Sequence, residues 1–239
     1  MSLSKPRYFA LVPAAGSGSR FGAGRLKQYL PLAGKPLIAH TLRALCAVEE
    51  IERVFVVLSA DDTEWATHDW SFLGSRVVPL ICGDATRATS VINGLRAMAG
   101  EVAEDDWVLV HDAARPCITP QQIKRLVTEL KEDEVGGLLA IPLADTLKRA
   151  DPQQRVSETV PRETLWRAQT PQMFRYGVLR AALASVGEVT DEAGAIEAAG
   201  LKPKLVEGDL TNLKVTWPMD LQMAEYVLFS RLEWEGPEQ

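Results

Sequence analysis

Cysteine is scarce in this chain, and no two cysteines are spaced to work together. Cys46, Cys82 and Cys117 form no C-x-x-C pair. An odd, scattered set fits reduced thiols in a cytoplasmic protein better than a disulfide framework. His40, His68 and His111 are equally scattered, which argues against a zinc cage. No block of Lys and Arg stands out, and the net charge is -6 over 239 residues. A nucleic acid is therefore not an expected partner. No apolar run is long enough to span a bilayer, so no membrane association is expected. Lys5 and Arg7 precede a short apolar stretch, a faint imitation of a secretory signal. That stretch runs directly into a Gly/Ser loop carrying an arginine, so it reads as a first strand. Internal repeats and low-complexity segments are also missing.

What is present belongs to a globular protein, with 46% hydrophobic and 24% charged residues. The length suits a single α/β domain, 1–239, with one excursion. Tyr8–Pro13, Arg53–Ser59, Arg76–Ile81 and Trp107–His111 read as short buried strands. Between them Ile38, Leu42 and Leu45 share a helical face, as do Val91, Leu95 and Met98, then Ile123, Leu126 and Leu130. Strand alternating with helix predicts a mostly parallel sheet covered on both faces. After Glu134 the rhythm changes. Val135–Pro142 reads as another strand, and Asp145–Arg149, a turn at Asp151–Gln154 and Val156–Val160 as a hairpin. The hairpin is too polar to make a core, so it is expected to project as a β-arm and pack on a second copy of the chain. Leu165–Gln169 reads as a strand, Tyr176–Ser185 and Glu192–Ala199 as helices, and Pro203–Val206 as a last strand. Pro218 opens a final helix.

In open α/β sheets the ligand sits beyond the carboxyl ends of the strands. After the first strand comes PAAGSGSRFG, from Pro13 to Gly22. Its glycines free backbone N–H groups to cradle phosphates. Arg20 and, seven residues on, Lys27 add positive charge. The loop lacks the Gly-Lys-Ser/Thr of a P-loop, and Phe21 occupies the third glycine of a dinucleotide fingerprint. Asp112 ends the fourth strand, where a carboxylate suits Mg²⁺ on nucleotide phosphates. The alternative is a helix cap or an ion pair with Arg115. His111 reads as a packed or hydrogen-bonded strand residue. In GDATRATSV, Arg87 and Ser90 open a helix, and Ser90 either meets a base or caps and packs. Lys214 alone is an ordinary surface lysine. Cations, one metal-binding carboxylate and backbone donors suit in-line nucleotidyl transfer. No arrangement for covalent catalysis is readable.

These residues resemble a known family. PAAGSGSRFG with LKQYLPLAGKPL looks like the nucleotide loop of sugar-phosphate nucleotidyltransferases. HDAARP, the Thr146 and Arg162 region, QTPQMF, TDEAG and NLKVT occur in the order of the 2-C-methyl-D-erythritol 4-phosphate cytidylyltransferases of the non-mevalonate isoprenoid route. The likeness spans about Tyr8 to Leu228. It implies a Rossmann-like α/β nucleotidyltransferase domain, a homodimer built with a β-arm at about 140–162, and a Mg²⁺·CTP complex. By likeness, Arg20 and Lys27 are catalytic, stabilising the α-phosphate and leaving pyrophosphate. Ala14, Ala15, Gly16, Gly83, Asp84 and Ser90 form the nucleotide site. Asp112 meets Mg²⁺ and substrate, and Thr170, Thr190 and Lys214 hold the methylerythritol phosphate. Thr146 and Arg162 reach it from the partner's arm.

Two other functions compete with this one. A pentitol phosphate such as ribitol 5-phosphate could be the acceptor, which a substrate assay separates. A non-catalytic sugar-nucleotide binding protein is a rival of another class, and Arg20 and Lys27 beside Asp112 speak against it.

Overall fold

Tyr8–Pro13 (β1) reads YFALVP, apolar on both sides of the pleat, and it lies in the middle of the molecule for that reason. The computed structural model describes residues 5–16, 26–187 and 189–234. After β1 come Pro31–Leu32 (β2), Lys35–Pro36 (β3), Leu37–Cys46 (α1), Ile51–Leu58 (β4), Val77–Ile81 (β5), Arg87–Ala97 (α2), Trp107–Val110 (β6) and Pro120–Leu130 (α3). Gly136–Pro142 (β7), Leu147–Ala150 (β8), Val156–Val160 (β9), Trp166–Arg175 (β10), Tyr176–Ser185 (α4), Glu192–Ala198 (α5), Lys204–Glu207 (β11) and Pro218–Trp234 (α6) complete the order.

Among the described residues, one seven-stranded sheet runs β11-β7-β10-β6-β1-β4-β5. Pairing is parallel except at β10, which is antiparallel to β6 and β7. The pleat sends Ala10, Val12, Val54 and Val56 to one face, where α1 and α3 cover them. Phe9, Leu11, Phe55 and Val57 face α2, α4 and α5. The expected mostly parallel α/β sheet with helices on both faces is what forms. No described helix is long and apolar enough to cross a membrane.

Two features depart from the local reading. The strand expected over Leu165–Gln169 continues to Arg175. Pro171 has no N–H to give to a ladder. It is accommodated where the pairing of β10 with β7 shifts between Ala168 and Gln172, so the ladder requires no donor there. The small β2–β3 hairpin has strands of two residues each, too short to show as a pattern in the sequence. Its turn puts Ala33 at φ 44° and Gly34 at φ 78°, the left-handed backbone that two-residue hairpin loops demand.

The polar hairpin forms as expected. β8 and β9 make their own two-stranded sheet, with Arg149 opposite Glu158 and Lys148 opposite Thr159. Most of its side chains are exposed, Val156 to 65%. α6 packs through Ala224, Leu221 and Leu228 on Leu32, Leu37, Cys117 and Val215.

Candidate functional site

β1 has β4 and β5 on one side and β6 on the other. The chain leaves β1 where the winding direction reverses, and a crevice opens there between the loops that follow the strands. Ala14 N–H donates to Val57 O at 2.9 Å, and Gly83 N–H to Leu58 O at 2.8 Å. These bonds bring the post-β1 and post-β5 loops together. A Cβ on Gly83 would lie 2.2 Å from Ala15 Cβ and 2.8 Å from Leu58 O. Only glycine permits that approach. Ser90 Oγ accepts from Asp84 N at 3.0 Å and donates to Thr86 O at 2.9 Å, tying the Gly83–Asp84 loop to the start of α2. Thr86 and Thr89 close a capping box on that helix end.

The resulting cavity is walled by Ala14, Ala15, Gly16, Lys27, Asp84 and Ser90, and by Arg87, Asp112 and Lys214. A second cavity shares Arg87, Asp112 and Lys214 and adds Arg115, Thr170 and Thr190. The expected nucleotide residues and the expected polyol-phosphate residues thus occupy two adjoining cavities with one common wall. Gly83 stands behind the first. Thr146 and Arg162 line neither cavity within one chain, and Arg162 instead donates to Ala144 O at the base of the arm. Arg20, Gly18 and Gly22 lie outside the described residues.

The common wall is an ion cluster. The strand expected over Trp107–His111 stops at Val110, so His111 and Asp112 lie just past its end. Asp112, 6% exposed, takes Arg87 Nε at 2.7 Å and Lys214 Nζ at 2.8 Å, with Arg115 Nε at 3.8 Å. Burial opposes its ionisation, but Arg87, Lys214 and Arg115 outweigh that and hold the carboxyl well below the usual carboxylate range. Arg87 also grips Glu192 with both terminal nitrogens, at 2.8 and 2.9 Å. Burial works against its charge and these two carboxylates overcome it, raising its pKa.

Behind the cluster, Asp112 N–H donates to Thr170 Oγ1 at 3.0 Å, and Thr170 Oγ1 lies 2.9 Å from His111 Nδ1. The Thr170 hydroxyl, already accepting, donates to His111. Burial lowers the His111 pKa to about 4, so this ring stays neutral and serves as an acceptor. Val215 N–H donates to Ala114 O at 2.8 Å. Lys27 Nζ donates to Val215 O at 3.0 Å. The NLKVT loop is thereby stitched to the Asp112 loop, and Lys27 is anchored on the carbonyl of Val215, next to Lys214 in the chain.

Arg87, Arg115 and Glu192 belong to this site although the sequence pattern does not mark them as site residues. Arg115 reads locally as an ion-pair partner, yet it lines the second cavity, and its buried Nε has no hydrogen-bond partner among the described residues. Glu192 reads as an ordinary acid in the first turn of a helix. Only the pairing across 105 residues shows that it joins the ion cluster.

The profile of a family described as IspD, 2-C-methyl-D-erythritol 4-phosphate cytidylyltransferase, matches residues 8–230. A protein of Azoarcus sp. strain BH72 that bears the same description is 67% identical over 226 residues, 95% of this chain and 96% of that one. A crystal structure of a 4-diphosphocytidyl-2C-methyl-D-erythritol synthase superposes with a TM-score of 0.83 at 39% identity, covering 95% of this chain and 100% of that one. The 2-C-methyl-D-erythritol 4-phosphate cytidylyltransferase of Francisella tularensis follows at 0.78 and 33%, covering 92% and 99%.

Proposed function

Because the chain belongs to the 2-C-methyl-D-erythritol 4-phosphate cytidylyltransferase family, its activity is transfer of CMP from CTP to 2-C-methyl-D-erythritol 4-phosphate, and we propose that the two adjoining cavities divide the substrates between them. The observation that carries this reading is the wall of Arg87, Asp112 and Lys214 common to both. Two anionic ligands meeting at one wall need cations on it, and in-line transfer needs little else than positioning and charge neutralisation.

On this reading the cytidine lies against Ala14, Ala15, Gly16, Gly83, Asp84 and Ser90. Lys27 and Arg20 stabilise charge on the α-phosphate and on the departing pyrophosphate. The acceptor phosphate is held by Lys214, Thr170 and Thr190, and Arg115 joins them through its buried Nε. An oxygen of that phosphate attacks the α-phosphorus, a new P–O–P link forms, and pyrophosphate leaves with its bonding electrons.

The residues present fit a magnesium ion carried mainly by the nucleotide. Asp112 lines both cavities and offers one carboxylate. Magnesium characteristically takes one or two carboxylates together with substrate phosphates. When bound, it supplies charge neutralisation on the phosphate oxygens. Asp112 would be its protein ligand.

The arm completes the site in a homodimer. A lone two-stranded hairpin is marginal in water, and β8–β9 buries little of itself. Arg162 and Thr146 would reach the acceptor from the partner subunit, the guanidinium gripping phosphate through two bonds. The test is pyrophosphate release by the purified chain with CTP and Mg²⁺, scanned over polyol phosphates. Release with 2-C-methyl-D-erythritol 4-phosphate well above that with ribitol 5-phosphate is expected. Preference for the pentitol, or no release with any polyol phosphate, overturns the reading.

A further inference from the structure

Glu192 is 1% exposed, and none of the roles above uses it. A carboxylate so far from water is tolerated only when paired and hydrogen-bonded. Its two oxygens are taken by the two terminal nitrogens of Arg87 at 2.8 and 2.9 Å. The remaining edge of that guanidinium, Nε, donates to Asp112 Oδ1 at 2.7 Å. The fork is planar, so fixing its terminal edge also fixes the direction of Nε–H. Asp112 Oδ1 is thus located by Glu192 through Arg87, and Asp112 Oδ2 in turn holds Lys214 at 2.8 Å.

We propose that Glu192 is a positioning residue for CMP transfer, holding Arg87 so that Asp112 and Lys214 stay at the wall between the two substrates. The proposal rests on the assignment of Lys214 and Asp112 to the acceptor phosphate. Attachment of α5 does not explain Glu192. Asp191 already caps that helix through Gly194 N–H, and Gln172 pins it through Asp191 and Ala193. Arg87 borders both cavities. Released from Glu192, it would turn its two-pronged edge toward Asp112, and Lys214 would lose its place.

The test is steady-state kinetics on the full chain with Glu192→Gln, Glu192→Asp, Arg87→Lys and the Glu192→Gln/Arg87→Lys double variant. CTP binding by calorimetry and thermal melting accompany each. Glu192→Gln is expected to lower kcat/KM for the polyol phosphate by about tenfold or more while the CTP Kd moves by less than about twofold. Glu192→Asp should recover part of the loss. The double variant should be no worse than its more damaging parent, since the two residues act as one unit. Unchanged kcat/KM, additive losses, or a loss that merely follows the melting temperature overturns the proposal. If Glu192→Gln does not fold, Arg87→Lys must show the same split, and its absence is equally fatal. Lys214→Ala separates the two levels. Retained acceptor KM there defeats the site assignment itself, whereas loss there with Glu192→Gln unaffected defeats only the role of Glu192.

Discussion

Asp112→Asn removes the charge on which three cations converge. Arg87 and Lys214 lie 2.7 and 2.8 Å from its oxygens, and Arg115 lies 3.8 Å away. Removing one partner of a buried ion pair costs about 3–5 kcal/mol. Two features lower that figure here. Arg87 keeps Glu192, and the Lys214 side chain, 43% exposed, can turn to water. Loss near the lower bound, about 3 kcal/mol, is therefore expected. For a chain of this size that corresponds to a fall in Tm of about 6–12 °C. The pH dependence follows from the direction of the shift. The folded-state pKa of Asp112 is depressed below its unfolded value. Its stabilisation is therefore fully present above about pH 4, and is lost as pH falls toward the folded pKa. Calorimetric melting of both chains from pH 8 to pH 3 should show a gap that is constant to about pH 5 and narrows below pH 4. Activity should fall as well, with the magnesium titration midpoint moved up and extra Mg²⁺ restoring part of the rate, because an amide is a poorer ligand for a hard cation. Coincident melting curves would refute the buried cluster as a source of stability. An unchanged magnesium midpoint would make Asp112 purely structural.

Lys27→Ala should lower kcat by about 10²–10³ while CTP Kd changes little, because losing one such contact raises the barrier by about 2.7–4 kcal/mol; near-normal turnover removes it from the chemistry. Mixing Arg162→Ala chains with Lys27→Ala chains should restore roughly a quarter of wild-type activity once subunits exchange, since each mixed dimer holds one intact site. Two inactive parents that stay inactive after demonstrated exchange would mean that the site is built within one chain. Gly83→Ala forces a methyl to 2.2 Å from Ala15 Cβ, so the post-β1 and post-β5 loops must part, with a loss of about 1–3 kcal/mol and weaker CTP binding by calorimetry; unaltered affinity would show that the loop contact does not shape the nucleotide site.

Much of this molecule is legible one segment at a time. The apolar runs at Tyr8–Pro13 and Trp107–Val110 and the helix at Tyr176–Ser185 follow from periodicity, which is local physics. The polar hairpin declares itself by having nothing to bury. Residues in loops after strands, such as Ala15, Lys27 and Asp112, could be singled out because a parallel sheet delivers those loops to one edge. Other features needed the folded chain. The antiparallel course of β10 between β6 and β7, and the register shift that accommodates Pro171, depend on neighbouring strands, and no local pattern encodes a neighbour. Arg87 and Glu192 look like ordinary helix-end charges and Arg115 like a local ion-pair partner, because charged residues usually sit in water. Their meaning arises when α2, the end of β6 and α5 converge and exclude solvent. Coulomb attraction depends on separation in space and on the surrounding dielectric. A pair 105 residues apart along the chain and 2.8 Å apart in the fold therefore leaves no mark that the sequence alone could show.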